Sequence, residues 1–214
     1  MSKHQLAETS SAGFRRTGER RVHQGHVWSV AVADFVDPDG GAFTRDIVRS
    51  PGAVGVLPLV FDAEGNPSVV LVSQYRPPHE RTVIEIPAGM RDIVGEAPIE
   101  VARRELIEEA GLAAGRIDLL AEIYPSPGLT DSVTTIYLAT ACTPVEAAPH
   151  GPEEVHARLL HLPFEDAVAM VLDGRIKDAK TVTAVLLTDR RMRDGDETTA
   201  FARSEARSAR PSEP

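Results

Sequence analysis

Between Gly89 and Leu112 the chain reads GMRDIVGEAPIEVARRELIEEAGL, which gathers the carboxylates Glu96, Glu100, Glu105, Glu108 and Glu109 on and just before one short segment. Ile99, Ala102, Leu106 and Ala110 recur in it at helical spacing, Pro98 suits a first turn and Gly111 supplies a stop, so the segment is predicted to be a helix with one apolar stripe. At 3.6 residues per turn, Glu105 and Glu109 project together, with Glu108 on the adjoining face and Arg104 beside them. Like charges at i,i+4 destabilise a bare helix by roughly 0.2–0.5 kcal/mol. Their clustering beside an apolar stripe asks for a hard cation with oxygen ligands, and magnesium or manganese fits best. A solvated acidic face is the plainer reading of any Glu-Glu pair on a helix, and only the order of the surrounding residues can decide between the two.

The elements that must hold this helix are legible around it. Alternation and β-branched residues predict a strand from Arg21 to Val36, a turn at Asp37-Pro38-Asp39-Gly40-Gly41 and a return strand from Ala42 to Arg49. Two apolar runs, Ala53 to Phe61 and Ser68 to Gln74, flank Ala63-Glu64-Gly65-Asn66-Pro67 and read as a hairpin, after which Val83 to Ile86 leads into the loop before the helix. Further strands are expected at Ile117–Tyr124, Val133–Ala141 and Val155–Leu162, with helices near Glu165–Leu172 and Ala179–Leu187. Residues 1–17 and 191–214 are polar and are expected to be disordered or loosely attached tails around an N-terminal sheet (18–50) and a larger domain (51–190). Interleaved strands with few helices indicate an α/β or α+β sandwich.

Glu96, Arg104-Glu105-Leu106, Glu108-Glu109 and Gly111-Leu112 stand at the fixed offsets of the Nudix box, and the chain resembles that family of nucleoside-diphosphate-linked hydrolases. The opening glycine departs: the family spacing puts it at Met90, whereas the chain has Gly89, which reads as one residue inserted in the loop Met90–Gly95. The segments GAVGVLPLVFDAEGNPSVVLVSQYR (52–76), TVIEIPAGM (82–90), YPSPGLTD (124–131) and GRIKDAKTVTAVLL (174–187) resemble the ADP-ribose pyrophosphatase branch, particularly its actinobacterial members, which share the longer loop. The likeness runs from about Gly18 to Leu187.

The resemblance implies an α/β fold, a mixed sheet between helices, with an N-terminal antiparallel sheet that joins two subunits in a swapped homodimer. It also implies roles. Glu105 and Glu109 would be the principal metal ligands, with Glu108 an additional or water-mediated one and the Ala88 carbonyl completing the shell around Mg2+, or Mn2+. Glu96 and Arg104 would brace helix and loop through an ion pair, and Gly111 would close the box. Arg104 and Glu108 are also counted with the base in the catalytic set. Relatives carry that base on a loop outside the box, here Glu146–Glu154, where Pro149, Gly151 and Pro152 mark irregular backbone; Glu154 is the choice and Glu153 the fallback. Arg76 resembles a phosphate-holding arginine, Glu85 a residue that positions substrate or water, Trp28 an aromatic offered to adenine across the dimer, and Gly128 a point of close backbone approach in the ribose pocket. The first three have a plainer reading: a surface arginine, a strand residue of undecided face, a core or interface tryptophan.

Hydrolysis of a diphosphate needs neutralised phosphate oxygens, an activated water and a stabilised leaving phosphate, and the glutamates with a divalent ion answer the first need. The reading is therefore metal-dependent hydrolysis of ADP-ribose to AMP and ribose 5-phosphate. The alternatives are another nucleoside diphosphate sugar such as GDP-mannose, a nucleoside triphosphate pyrophosphatase, or a catalytically silent ADP-ribose-binding module, which would be expected to have lost box glutamates.

Composition sets the outer limits. A net charge of −9 over 214 residues offers no basic excess for long nucleic acid, though a divalent ion can bridge an acidic protein to an anionic small molecule. The single cysteine, Cys142, has no partner for an internal disulfide and reads as a small hydrophobe. No apolar run is long enough for a signal segment or a membrane span, so a cytoplasmic enzyme is expected.

Overall fold

The computed structural model describes residues 11–148, 152–196, 199–200 and 203–204. The irregular backbone expected at Pro149 and Gly151, and most of both expected tails, lie outside the described residues. The chain divides into two compact units, residues 1–51 with 126–132, and residues 52–125 with 133–214.

The first unit is an antiparallel sheet of β1 (Arg15–Gln24), β2 (Ser29–Val36) and β3 (Ala42–Arg49), in that order. The single strand expected from Arg21 to Val36 is thus two strands joined by a tight turn. Gly25 N–H donates to the Trp28 carbonyl at 2.8 Å, and a β-carbon at Gly25 would lie 2.8 Å from that same oxygen, so the reversal needs glycine there. The turn lacks the Asn-Gly or Asp-Gly signature that announces most two-residue hairpins, and alternation alone ran through it. Phe35 stacks on Phe43 at 5.4 Å. Segment 126–132 is tied to β3 by the Val48 N–H bond to the Leu129 carbonyl (2.9 Å) and by Arg49, whose guanidinium reaches Asp131 at 3.0 Å and also grips Glu19.

The second unit is built on a seven-stranded mixed sheet. Its main path runs β10 (Arg158–Pro163), β5 (Pro67–Arg76), β4 (Ala53–Phe61), β9 (Thr134–Pro144), β8 (Leu112–Ile123), with β4 and β9 parallel. The expected hairpin is present, Leu59 opposite Val69 and Phe61 opposite Pro67 around the Asp62–Asn66 turn. Beyond those three pairs β4 and β5 part company. The edge of β4 that β5 leaves is taken by β7 (Ala88–Met90) at residues 53–55, and β5 pairs with β6 (Arg81–Glu85) from Val72 onward. Segment 81–90 therefore fills a fork between two strands.

Both faces of this sheet are covered, which is why β4 and β5 read as continuous apolar runs instead of alternating ones. Val54, Val56, Val70 and Tyr137 pack with Val101, Ala102, Leu106 and Ala110 of α1 (Pro98–Ala110). Leu57, Leu59, Leu71, Ile136 and Leu138 pack on the other side with Phe164 and Ala167 of α3 (Phe164–Leu172) and Ala184 and Val185 of α4 (Ala179–Arg193). The mixed α/β sandwich is the fold class the sequence led us to expect. Cys142 sits at the margin of the α1 core, where burial pushes its thiol up to about 12 and leaves it unreactive.

Several boundaries differ from expectation: β8 starts at Leu112 instead of Ile117, and β9 runs on to Pro144 instead of ending at Ala141. The strand expected from Val155 begins at Arg158, because Pro152–Val155 forms a short helix, α2. Pro152 supplies the fixed φ of a first helical turn, which outweighs the strand preference of Val155. The last helix runs past Leu187 to Arg193, with Arg190, Arg191 and Arg193 at its negative end, so its final turn occupies residues assigned to the tail. Among the described residues no helix is long and apolar enough to cross a membrane.

Candidate active site

The expected carboxylate helix is α1, and its ends form as the sequence directs. Pro98 takes the first turn, and Gly111 closes the helix at φ 61°, its N–H donating to Ile107 and Leu106 carbonyls. The helix buries Val101, Ala102, Leu106 and Ala110 together with Glu105, which is only 6% exposed. Glu100 stays on the open face near Arg103, as a merely solvated charge would.

Arg104 organises the outer side of the cluster. Its guanidinium lies 3.3 Å from Glu96, 2.7 Å from Glu105 and 3.1 Å from Glu108, so the residue preceding the helix and two of the box glutamates share one cation. On the inner side, Ala88 N–H donates to Glu109 Oε2 at 2.8 Å, which docks β7 against the last turn of α1. Glu105 reaches the same strand through a different device. A β-carbon placed on Gly89 would stand 1.9 Å from Glu105 Oε1, so the carboxylate occupies the space a side chain would need. Gly89 thereby accounts for the displaced opening glycine: close approach to Glu105 is required at this position, and the extra residue falls in the loop that follows, where Gly95 adopts φ +86°.

Burial pushes the Glu105 carboxyl up to about 7, and the charges of Glu108 and Glu154 add to burial while Arg104 opposes it. Burial likewise pushes Glu109 up to about 7, against the Ala88 N–H and with help from Glu105 and Glu154. Glu154, on α2, therefore acts electrostatically on both box glutamates although it lies 45 residues beyond Glu109 in sequence. The next residue back, Glu153, lines a cavity of about 680 Å³ with Ser73, Tyr75, Thr82, His156 and Arg158.

A second ionic group adjoins the first. Glu85, 3% exposed, accepts Arg76 Nε at 2.6 Å and Nη2 at 3.0 Å, and also accepts Lys180 Nζ. Burial alone would raise its pKa, but the two cations outweigh it and bring the carboxyl down to about 2. Glu109 also acts electrostatically on Arg76, which couples the two groups.

The second unit thus brings together Arg76, Glu85, Ala88, Glu96, Arg104, Glu105, Glu108, Glu109, Gly111 and Glu154. Trp28 and Gly128 belong to the first unit. Trp28 is 53% exposed in its turn, which sets aside the plain core reading, and nothing lies within 4 Å of where a β-carbon would stand on Gly128. Sequence reasoning missed Lys180, Asp178 and Thr181 at the start of α4. The signal available was the helix cap Asp178-Ala179-Lys180-Thr181, in which Thr181 N–H donates to Asp178 Oδ2 at 3.0 Å.

Among the described residues no three His, Cys, Asp or Glu side chains already converge as a cation cage. The donor set nevertheless suits a hard divalent ion: Glu105, buried, and Glu109, half-buried, are oxygen donors whose carboxyls are pushed up by burial and by neighbouring carboxylates. One oxygen of each is engaged, Glu105 Oε1 by Arg104 and Glu109 Oε2 by Ala88.

The NUDIX domain family matches residues 50–186. The "Methanol dehydrogenase activator" of Bacillus methanolicus is 35% identical over 165 residues, covering 77% of this chain and 86% of that protein. The "ADP-ribose pyrophosphatase" of Bacillus subtilis (strain 168) is 34% identical over 167 residues, 78% of this chain and 88% of its own. The protein of the same name from Mycobacterium tuberculosis is 31% identical over 173 residues, 81% and 82% of the two chains. A solved "ADP compounds hydrolase" shares the fold, with a TM-score of 0.74 at 20% identity over 88% of this chain and 98% of that one.

Proposed function

Because the chain belongs to the Nudix family and is a Nudix hydrolase, we propose that it hydrolyses the diphosphate linkage of ADP-ribose to AMP and ribose 5-phosphate. The observation that carries the reading is the pair of α1 carboxylates set against β7, Glu105 buried and Glu109 half-buried, which burial and like charges push above their ordinary range while Glu109 also acts on Arg76. The names of the two ADP-ribose pyrophosphatase relatives support the choice of substrate.

Divalent metals serve the family generally, and here Glu105 and Glu109, with Glu108 and the Ala88 carbonyl, would hold Mg2+, or Mn2+ in its place. When bound, the ion neutralises phosphate oxygens and lowers the pKa of water. The remaining work falls to the chain. Arg76 binds a substrate phosphate, and Arg104 with Glu96 holds α1 and the preceding loop in register. Glu154 accepts the proton of the attacking water as its oxygen forms the new bond to phosphorus, the bridging P–O bond breaks and the departing phosphate keeps that bond's electrons. Trp28 and the loop around Gly128 would meet the adenine and the terminal ribose, with the N-terminal sheet exchanged in a homodimer.

Measuring kcat/KM for ADP-ribose, GDP-mannose, NADH and a nucleoside triphosphate, with magnesium and manganese in parallel, tests the reading. ADP-ribose should give the highest value with release of AMP; a higher value for GDP-mannose, or no turnover with either ion, overturns it.

A further inference from the structure

The first turn of α4 holds the strand that enters the site, and it does so at two successive residues. Lys180 Nζ bonds Glu85 and also lies 3.0 Å from Asp178 Oδ1. Asp178 Oδ2 accepts the Thr181 hydroxyl at 2.6 Å, and Thr181 Oγ1 in turn accepts the Ile86 N–H at 2.8 Å. Thr181 is fully buried. Two residues beyond Ile86, Ala88 N–H donates to Glu109. A continuous set of short bonds therefore runs from the cap of α4, through the strand, to the carboxylate helix on the other face of the sheet.

Exposure within this set is graded. The side chain of Glu85 is 4% exposed, that of Lys180 14% and that of Arg76 36%, so Arg76 is the member open to a ligand while Lys180 stands behind it. The four charges of Arg76, Glu85, Lys180 and Asp178 sum to zero. Without Lys180 they would sum to −1, next to Glu105, Glu109 and Glu154, and Arg76 would be the sole cation available to a buried carboxylate. With Nε and Nη2 already on Glu85, Arg76 would then have more of its charge taken up by that carboxylate and less left for a diphosphate.

We propose that Lys180 is a positioning residue for substrate: by sharing Glu85 it keeps the charge of Arg76 available to the diphosphate. The proposal rests on the hydrolase reading above, and the experiment separates the two. In the full-length protein with magnesium, Lys180→Met should raise KM for ADP-ribose about tenfold while kcat stays within about threefold, since one charge-assisted hydrogen bond is at stake. Lys180→Arg should recover most of the loss. A folded Lys180→Met protein with wild-type KM, or with kcat alone reduced, overturns the proposal. Should Lys180→Met not fold, Lys180→Gln keeps a polar side chain beside Glu85 and Asp178 without the charge; it should show the same rise in KM, and a wild-type KM in it is equally fatal. If the unaltered protein does not hydrolyse ADP-ribose, the hydrolase reading fails, and calorimetric titration with ADP and magnesium decides about Lys180 by itself. Affinity about tenfold weaker in the variant supports it, and equal affinity refutes it.

Discussion

Glu85, buried, and Glu109, half-buried, are carboxylates of one unit that both act on Arg76, yet their surroundings drive them in opposite directions. Glu85 receives two cations and settles at about 2. Glu109 rises to about 7 because burial and the like charges of Glu105 and Glu154 outweigh the Ala88 N–H and Arg76, and Glu105 rises as far despite its contact with Arg104. A buried charge that the protein neutralises for itself fixes structure, whereas one left uncompensated marks a place where positive charge must come from outside. The pair of environments is a physical ground, separate from resemblance, for the proposal that Glu85 supports the site and Glu105 with Glu109 binds the ligand.

The largest effect should come from the uncompensated side. Glu105→Gln or Glu109→Gln should lower kcat/KM by at least about a thousandfold, since several kcal/mol of charge stabilisation are removed. The same variants should melt higher than the unaltered protein in metal-free buffer above pH 7. A lower melting temperature there would mean these glutamates are structural, and the contrast would collapse. Next, Glu154→Gln should lower kcat by about a hundredfold or more with little change in KM, because a general base is lost and binding is not. If Glu153→Gln does this and Glu154→Gln does not, the base is the residue on the cavity wall.

The compensated side should respond in stability. Glu85→Gln leaves Lys180 and Arg76 without their shared carboxylate and should cost about 3 kcal/mol, the low end for a broken buried pair because Arg76 is partly open to solvent. Urea unfolding measures it, and a loss below about 1 kcal/mol, the scale of a surface pair, would place Glu85 with exposed ion pairs.

The smallest effect is in pH dependence, and the two environments should give opposite signs. Raised from 4.5 to about 7, Glu105 and Glu109 favour folding while protonated, so the metal-free protein should lose stability as pH climbs from 4.5 through 7. Glu85, lowered from 4.5 to about 2, contributes above 4.5 and is lost as pH falls toward 2. Thermal melts across this range should show both flanks, and magnesium should raise the melting temperature most above pH 7, where the ligands are ionised. A magnesium effect equal at pH 5 and pH 8 would break the link between charge deficit and metal.

What could be read from the sequence follows from how local each signal is. Glu105, Glu109 and Gly111 lie within one helix, where periodicity fixes their relative directions, and the hairpin of β4 and β5 carries its own turn residues. The bond between Lys180 and Glu85 spans 95 residues and has no local trace. Gly89 was legible as a displaced glycine, but its reason was not, because only packing shows Glu105 in the space of the absent β-carbon. The turn at Gly25 and the helix at Pro152 were misread for a related cause: each depends on one residue whose backbone demands interrupt an otherwise strand-like run.

The fork between β4 and β5 gives segment 81–90 the mechanics of a wedge. It is hydrogen-bonded to both prongs, gripped from one side by the first turn of α4 and pressed on the other against the last turn of α1. A displacement of a few tenths of an ångström at either helix is thus delivered to Ala88 and Glu109 instead of being absorbed by an adjustable loop. Residues of α4 thereby gain a handle on Ala88 and Glu109, and variation along that helix is a route by which activity can drift while every glutamate of the box stays in place.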